Sequence, residues 1–201
     1  QLRIGLFAID EAHCISTWGH HFRPDYKRLS ILKKQFPGTP FMALTATADK
    51  AVRRDIGDLL LLKNHKYYVS SFDRPNLSLA VLPGQKKWEQ LFQIVQKYPE
   101  ESGIIYCGSR ATTEKLADKL RNAGKKAVCY HAGLNPSIRS KTQDQFIQGD
   151  VDIVCATIAF GMGIDKANIR FVVHYNMPGN LESLYQEIGR AGRDGQAAET
   201  V

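Results

Sequence analysis

From Leu77 onward, short apolar runs alternate with stretches of helical spacing, and this alternation constrains the fold more than any other feature of the chain. The strand candidates, largely apolar, are Leu77–Leu82, Gly103–Cys107, Lys126–Tyr130, Val151–Ala156 and Phe171–Tyr175. Unbroken apolar runs suit strands buried on both faces, whereas half-exposed strands alternate apolar with polar residues. Between the runs, Trp88, Leu91, Phe92 and Val95 follow helical spacing, as do Leu116, Ala117 and Leu120, and then Leu181, Leu184, Tyr185 and Ile188. Ser109 is placed to cap the second of these helices and Gly124 to stop it. A further helix is expected over Ile138–Ile147. Strands joined through helices must lie parallel, so the pattern predicts an α/β fold with a parallel sheet covered by helices on both faces.

The first 70 residues carry the same grammar in shorter form. Ile4–Ile9 and Phe41–Leu44 read as buried strands, Tyr26–Gln35 as a basic helical stretch, and Asp49 opens a helix to about Leu61. The polar stretch 71–76 contains Pro75, which restricts the residue before it, and reads as a linker. The expected division is a partial first domain over 1–70, the linker 71–76, and a near-complete second domain over 77–201.

Composition narrows the class. At 201 residues and 43% hydrophobic, the chain has material for one or two small cores. No apolar stretch approaches the roughly 20 residues of a membrane span, so no membrane partner is expected. The net charge of +7 suits a polyanionic partner. Residues 1–72 hold 11 Lys/Arg against 6 Asp/Glu, the remainder 16 against 14, and this split does not locate a binding face. Cys14, Cys107, Cys129 and Cys155 form no C-x-x-C pair, so no zinc site is expected. Cys107, Cys129 and Cys155 each close an apolar run, as small buried residues do, and reduced thiols imply an intracellular, soluble protein.

The chemistry gathers at strand ends. Asp10-Glu11-Ala12-His13 follows the first apolar run directly. Open α/β sheets place ligands at the carboxyl ends of strands. In nucleotide hydrolases an aspartate there helps hold Mg²⁺ and a glutamate beside it polarises the attacking water. Such chemistry also needs a phosphate loop, G-x-x-x-x-G-K-[ST]. None occurs here, since the Gly124-Lys125 pair is followed by Lys126. The chain is therefore expected to begin partway through a nucleotide-binding domain.

Trp18, His20, His21, Phe22, Arg23 and Tyr26 interleave aromatic rings with cations, a combination suited to single-stranded nucleic acid. Trp18 and Phe22 are alternatively core anchors. Thr45-Ala46-Thr47 is small and hydroxyl-bearing, and Thr47 or Asp49 can cap the helix that follows. Ser109 and Arg110 start a helix whose free N–H groups favour phosphate. His131 sits at another strand end, either as a ligand-facing residue or as a structural hydrogen-bonding histidine. In Thr157–Lys166, Gly161 and Gly163 permit close backbone approach to a ligand, Thr157 can meet phosphate, and Asp165 can meet a ribose. Gln186–Gly195 carries Arg190 and Arg193, and a guanidinium reaching a γ-phosphate stabilises charge developing in the transition state.

Five of these runs, in this order, resemble the RecQ family of superfamily 2 DNA helicases. They are Asp10–Ser16, Trp18-Gly19-His20, Ala43–Ala48, Cys155–Lys166 and Gln186–Gly195, and they span nearly the whole chain. Thr17 and His21 depart from the family's usual Gln and Asp, which bears on the details of coupling. The resemblance implies two RecA-like domains flanking ATP. Asp10 would support Mg²⁺ through ATP, Glu11 would activate water, and His13, Thr45 and Thr47 would couple the nucleotide to DNA. Gly163, Asp165, Arg190 and Arg193 would face the nucleotide, with Gln186 in support and Arg193 as the finger, although the sequence leaves open which arginine takes that part. Trp18, His20, Phe22, Arg23, Tyr26, Ser109, Arg110, His131 and Thr157 would face DNA. The implied activity is ATP-dependent, 3′ to 5′ translocation on single-stranded DNA with duplex unwinding, in DNA repair and recombination. The implied location is cytoplasm or nucleoid, or the nucleus in a eukaryote. Lacking a phosphate loop, this chain alone is expected to be inactive. The alternatives are a nucleic-acid-binding module without hydrolysis and a superfamily 2 RNA helicase or remodeller.

Overall fold

The computed structural model describes residues 3–17, 22–71, 73–161 and 164–201. They fall into two compact units, Gln1–Ser71 and Phe72–Val201.

In the first unit, β1 (Phe7–Ile9) and β2 (Phe41–Ala43) pair in parallel, with Phe7 opposite Phe41 and Ile9 opposite Ala43. The chain leaves β1 through a 3-10 turn over Ala12–Ile15. The basic stretch expected as one helix is divided into a 3-10 segment, Pro24–Leu29, and α1 (Ser30–Gln35). Helix α2 (Lys50–Leu59) begins where Asp49 accepts a hydrogen bond from the Val52 N–H at 2.8 Å. Ile9, Ile15, Val52, Ile56 and Leu60 form the core of this unit. Ile4, Leu6, Met42 and Leu44 stay exposed, so only one face of the strand pair is packed.

The second unit is a six-stranded sheet. Its strands are β3 (Leu77–Leu79), β4 (Ser102–Tyr106), β5 (Ala127–Tyr130), β6 (Ile153–Ala156), β7 (Ile169–His174) and β8 (Ala198–Thr200), ordered β3-β8-β7-β4-β6-β5 and parallel throughout. Its helices are α3 (Lys87–Lys97), α4 (Arg110–Asn122), α5 (Pro136–Gln148) and α6 (Leu181–Ile188). The sheet is the parallel, helix-covered one that the alternation predicts. Strand β8 has no counterpart in the pattern of apolar runs.

Side-chain alternation along β4 sorts the core into two layers. Ile105 and Cys107 face Leu91, Val95, Leu116 and Leu120 of α3 and α4. Ile104 and Tyr106 face Phe146 of α5, Phe160 and Ala191. Ser109 caps α4 by accepting the Thr112 N–H at 3.1 Å, and Gly124 follows its end at φ 78°. Arg74 and Asn76, within the stretch read as a linker, are bonded into this unit. Arg74 donates to the Ala191 and Gly192 carbonyls, and Asn76 to those of Gly192 and Gln196. Burial pushes the Cys107 thiol up to about 12 and Cys155 well above its usual range, so these are packing residues rather than nucleophiles.

Candidate functional site

The acidic end of β1 is built by its neighbour. Leu44 N–H donates to the Ile9 carbonyl at 2.8 Å and Ala12 N–H to the Leu44 carbonyl at 2.9 Å, so the strand after β2 clamps the turn that follows β1. Asp10 accepts the Glu11 N–H at 2.8 Å. Glu11 is held at φ 50°, the left-handed region that non-glycine residues rarely adopt, and its carboxylate is half exposed. His13 is buried beneath it, with Nδ1 at 2.8 Å from Thr45 Oγ1 and 3.3 Å from Glu11 Oε2. Thr45 Oγ1 gives its single proton to the Thr47 carbonyl at 3.2 Å, so His13 Nδ1–H is the donor to Thr45. Hydrogen bonds thus join His13, Thr45 and Thr47, with the Glu11 carboxylate beside the same His13 nitrogen. Asp10 and Glu11 present carboxylate oxygens of the kind a hard divalent cation takes.

In the aromatic loop, Phe22 is 37% exposed, which removes it from the core, and the Lys27 ammonium lies 5.0 Å above its ring. Tyr26 packs against the core and its hydroxyl donates to the Asp10 carbonyl at 3.3 Å. Arg23 N–H donates to the Cys14 carbonyl at 2.8 Å, tying the loop back to the first 3-10 turn. Trp18 and His20 lie outside the described residues.

In the second unit the predicted residues collect at the carboxyl ends of β4, β5 and β6. Arg110 lies so close to Gly133 that a Cβ there would meet its Nη1 at 2.8 Å. Ser109 is exposed but its hydroxyl is already engaged in the α4 cap. His131 is 4% exposed, with Nε2 at 3.0 Å from Glu114 Oε1 and Nδ1 without a partner among the described residues. Buried in this way, it supports the strand end and presents no open face. Thr157 is half-buried, its N–H bonded to the Tyr130 carbonyl at 3.1 Å. Asn176, which the sequence did not single out, accepts the Gly108 N–H at 2.9 Å.

The arginine segment is gripped along its length. Arg190 Nη1 donates to the Gly161 carbonyl at 2.6 Å, and a Cβ on Gly161 would stand 2.4 Å from Arg190 Nη2. Gly161 therefore makes room for an arginine of its own chain, where the sequence suggested room for a ligand. Arg193 is more open, its side chain 37% exposed, with Nη1 bonded to the Ile164 carbonyl at 3.1 Å and 3.4 Å from Asp165. Asp165 itself is almost fully exposed. Arg170 closes the segment by donating to both Asp194 oxygens at 2.7 and 2.6 Å, and this guanidinium holds the Asp194 carboxyl below the usual carboxylate range. Gln186 is half-buried on α6, and Gly163 lies outside the described residues.

The helicase conserved C-terminal domain matches residues 86–195, more than half of the chain. The ATP-dependent DNA helicase RecQ of Haemophilus influenzae is 52% identical over 99% of this chain, and that of Pasteurella multocida 53% over the same share. The chain spans 32% of the length of each. Among solved structures, Saccharomyces cerevisiae Dbp5 bound to RNA and ADP BeF3 superimposes with a TM-score of 0.72 at 23% identity, covering 100% of this chain and 53% of that one, a likeness of fold. The fold and the matched domain are those of the helicases. Within that class the chain belongs to the RecQ family of superfamily 2 helicases.

Proposed function

We propose that the protein carrying this chain is an ATP-dependent DNA helicase that moves 3′ to 5′ along single-stranded DNA and separates the duplex. The observation that carries this reading is the Gln186–Asp194 segment, which secures Arg190 on a backbone carbonyl and leaves Arg193 partly open beside Asp165. An anchored guanidinium next to a freer one suits a γ-phosphate sensor paired with a finger that neutralises charge as the phosphoryl group transfers.

In this reading Asp10 holds Mg²⁺ through ATP, and the metal, when bound, draws charge from the phosphates. Glu11 orients the attacking water and accepts its proton. His13 senses Glu11 and passes its position to Thr45 and Thr47, which couple the nucleotide to the DNA contacts. Gly163 and Asp165 meet the nucleotide, and Gln186 steadies the arginines. Trp18, His20, Phe22, Arg23 and Tyr26 stack on and neutralise the strand. Arg110, Ser109 and Thr157 contact phosphates, with His131 beneath them.

ATP binding favours one of two arrangements of the motor, and hydrolysis releases it. Such coupling requires ATP to have unequal affinity for the two arrangements. DNA repair and recombination, in the nucleoid or nucleus, is the setting this activity suits. This chain contains no phosphate loop, and in this reading it does not turn over ATP by itself. No described helix is long and apolar enough to cross a membrane.

The test is unwinding by the full-length protein on duplexes with a 3′ or a 5′ single-stranded tail, with an RNA-tailed substrate alongside. ATP-dependent unwinding of the 3′-tailed DNA is expected. Preference for RNA would assign the protein to the RNA helicases, and binding without unwinding would make it a passive nucleic-acid module.

A further inference from the structure

Beneath the arginine segment lies a buried polar pair to which none of the roles above gives a part. Glu187, in the last turn of α6, is 6% exposed, and its Oε2 lies 2.7 Å from His174 Nε2 at the end of β7. Both side chains are withdrawn from solvent, at 5% and 8%. The His174 ring lies on the Tyr106 ring with centroids 5.5 Å apart and planes 17° apart. The Tyr106 hydroxyl donates to the Phe160 carbonyl at 3.0 Å, and Phe160 precedes the glycine that receives Arg190. Burial pushes the Tyr106 phenol up to about 12, so it stays a neutral donor.

A carboxylate out of water is costly unless it is hydrogen-bonded, and apolar residues of the same shape often stabilise a core as well or better. What a bonded pair adds is direction. Directly after Glu187 the backbone turns tightly, with Arg190 N–H on the Glu187 carbonyl at 3.3 Å and Ala191 N–H on that of Ile188 at 3.0 Å. The Arg170–Asp194 pair fixes the far end of the same segment.

We infer that His174 and Glu187 are positioning residues for the arginines: their hydrogen bond, resting on Tyr106, sets the start of Gly189–Arg193 against the loop holding Gly161. This rests on the helicase reading. The pair touches no nucleotide in that reading and acts only through Arg190 and Arg193. Losing it therefore lowers the rate of transition-state formation more than it weakens ATP binding.

The test uses the full-length protein and compares His174→Phe/Glu187→Leu with Glu187→Gln. The double variant keeps the bulk and the stacking but loses the bond. Glu187→Gln keeps an acceptor for the His174 Nε2–H. The double variant is expected to melt like wild type and to bind single-stranded DNA like wild type. Its DNA-stimulated kcat is expected to fall about 10- to 100-fold, with KM for ATP nearly unchanged, the penalty of a slightly misplaced catalytic group. Glu187→Gln is expected to retain most of the wild-type kcat. A double variant that turns over at the wild-type rate overturns the inference, as does a Glu187→Gln as defective as the double. If the double variant does not fold, His174→Phe alone decides: a low kcat with unchanged KM supports the pair, and a wild-type kcat rejects it. A wild-type protein without DNA-stimulated hydrolysis fells the helicase reading itself, and this inference with it.

Discussion

Arg193→Ala in the full-length protein is expected to lower DNA-stimulated ATP turnover by about 10³-fold or more, the range that arginine fingers supply in phosphoryl-transfer enzymes. The expectation comes from the contrast between the two arginines. Arg190 is anchored, with Nη1 on the Gly161 carbonyl at 2.6 Å and its Nε buried. Arg193 is held by the Ile164 carbonyl but keeps over a third of its side chain in solvent. A finger must meet charge that develops only in the transition state, so its loss reduces kcat and leaves ATP affinity and melting temperature nearly unchanged. Steady-state ATPase kinetics, run beside a thermal melt, provide the check. Arg190→Ala differs in kind: it vacates a partly buried site against Gly161 and is expected to lower melting temperature as well as rate. If Arg190→Ala stays fully stable while Arg193→Ala keeps its rate, the two roles are exchanged.

Gly103→Ala is expected to be the most destabilising single methyl addition in the second unit. A Cβ at Gly103 would stand 2.0 to 2.4 Å from three ring carbons of Phe171 on the neighbouring strand β7. Phe171 is fully buried, its ring stacked near Tyr98 at 5.8 Å. A close-packed interior has no room for such a shift, and overpacking of this kind costs about 3 kcal/mol, at the upper end of its usual range. For a unit of this size that corresponds to a fall in melting temperature of roughly 10 °C. Differential scanning calorimetry reads the effect directly. Adding Phe171→Leu in the same molecule is expected to recover part of the loss, because it removes the ring that the new methyl strikes. A Gly103→Ala protein that melts like wild type would show that β4 and β7 are less tightly registered than the distances indicate.

The features legible from sequence were those whose causes are local. Asp49 and Ser109 announce the starts of α2 and α4 because a cap needs only a side chain and the next turn of backbone. Largely apolar runs announce β4, β6 and β7 because all are buried on both faces. Strand β8 was not legible. Ala198-Glu199-Thr200 is too short and too polar to read as a strand, and it forms one only because β3 and β7 leave a slot between them. The helical stretch over 26–35 was legible as helical but not as two pieces, the first a 3-10 segment opened by Pro24.

The same distinction runs through the candidate site. Acidic residues after a strand and paired arginines after a helix are local signals that point to ligands. The bond between His13 and Thr45 spans 32 residues, that between Arg190 and Gly161 spans 29, and that between His174 and Glu187 spans 13. No periodicity connects such partners, so only the folded chain shows that Gly161 accommodates an arginine and that His131 is buried against Glu114.

The central proposal is that the protein carrying this chain is a motor driven by ATP and switched on by DNA. ATP hydrolysis by the full-length protein, measured with and without single-stranded DNA and beside Glu11→Gln, tests it most directly. The account predicts slow turnover without DNA, a large stimulation by DNA, and loss of both rates in Glu11→Gln with ATP binding retained. Hydrolysis that ignores DNA, or that survives Glu11→Gln, would contradict it.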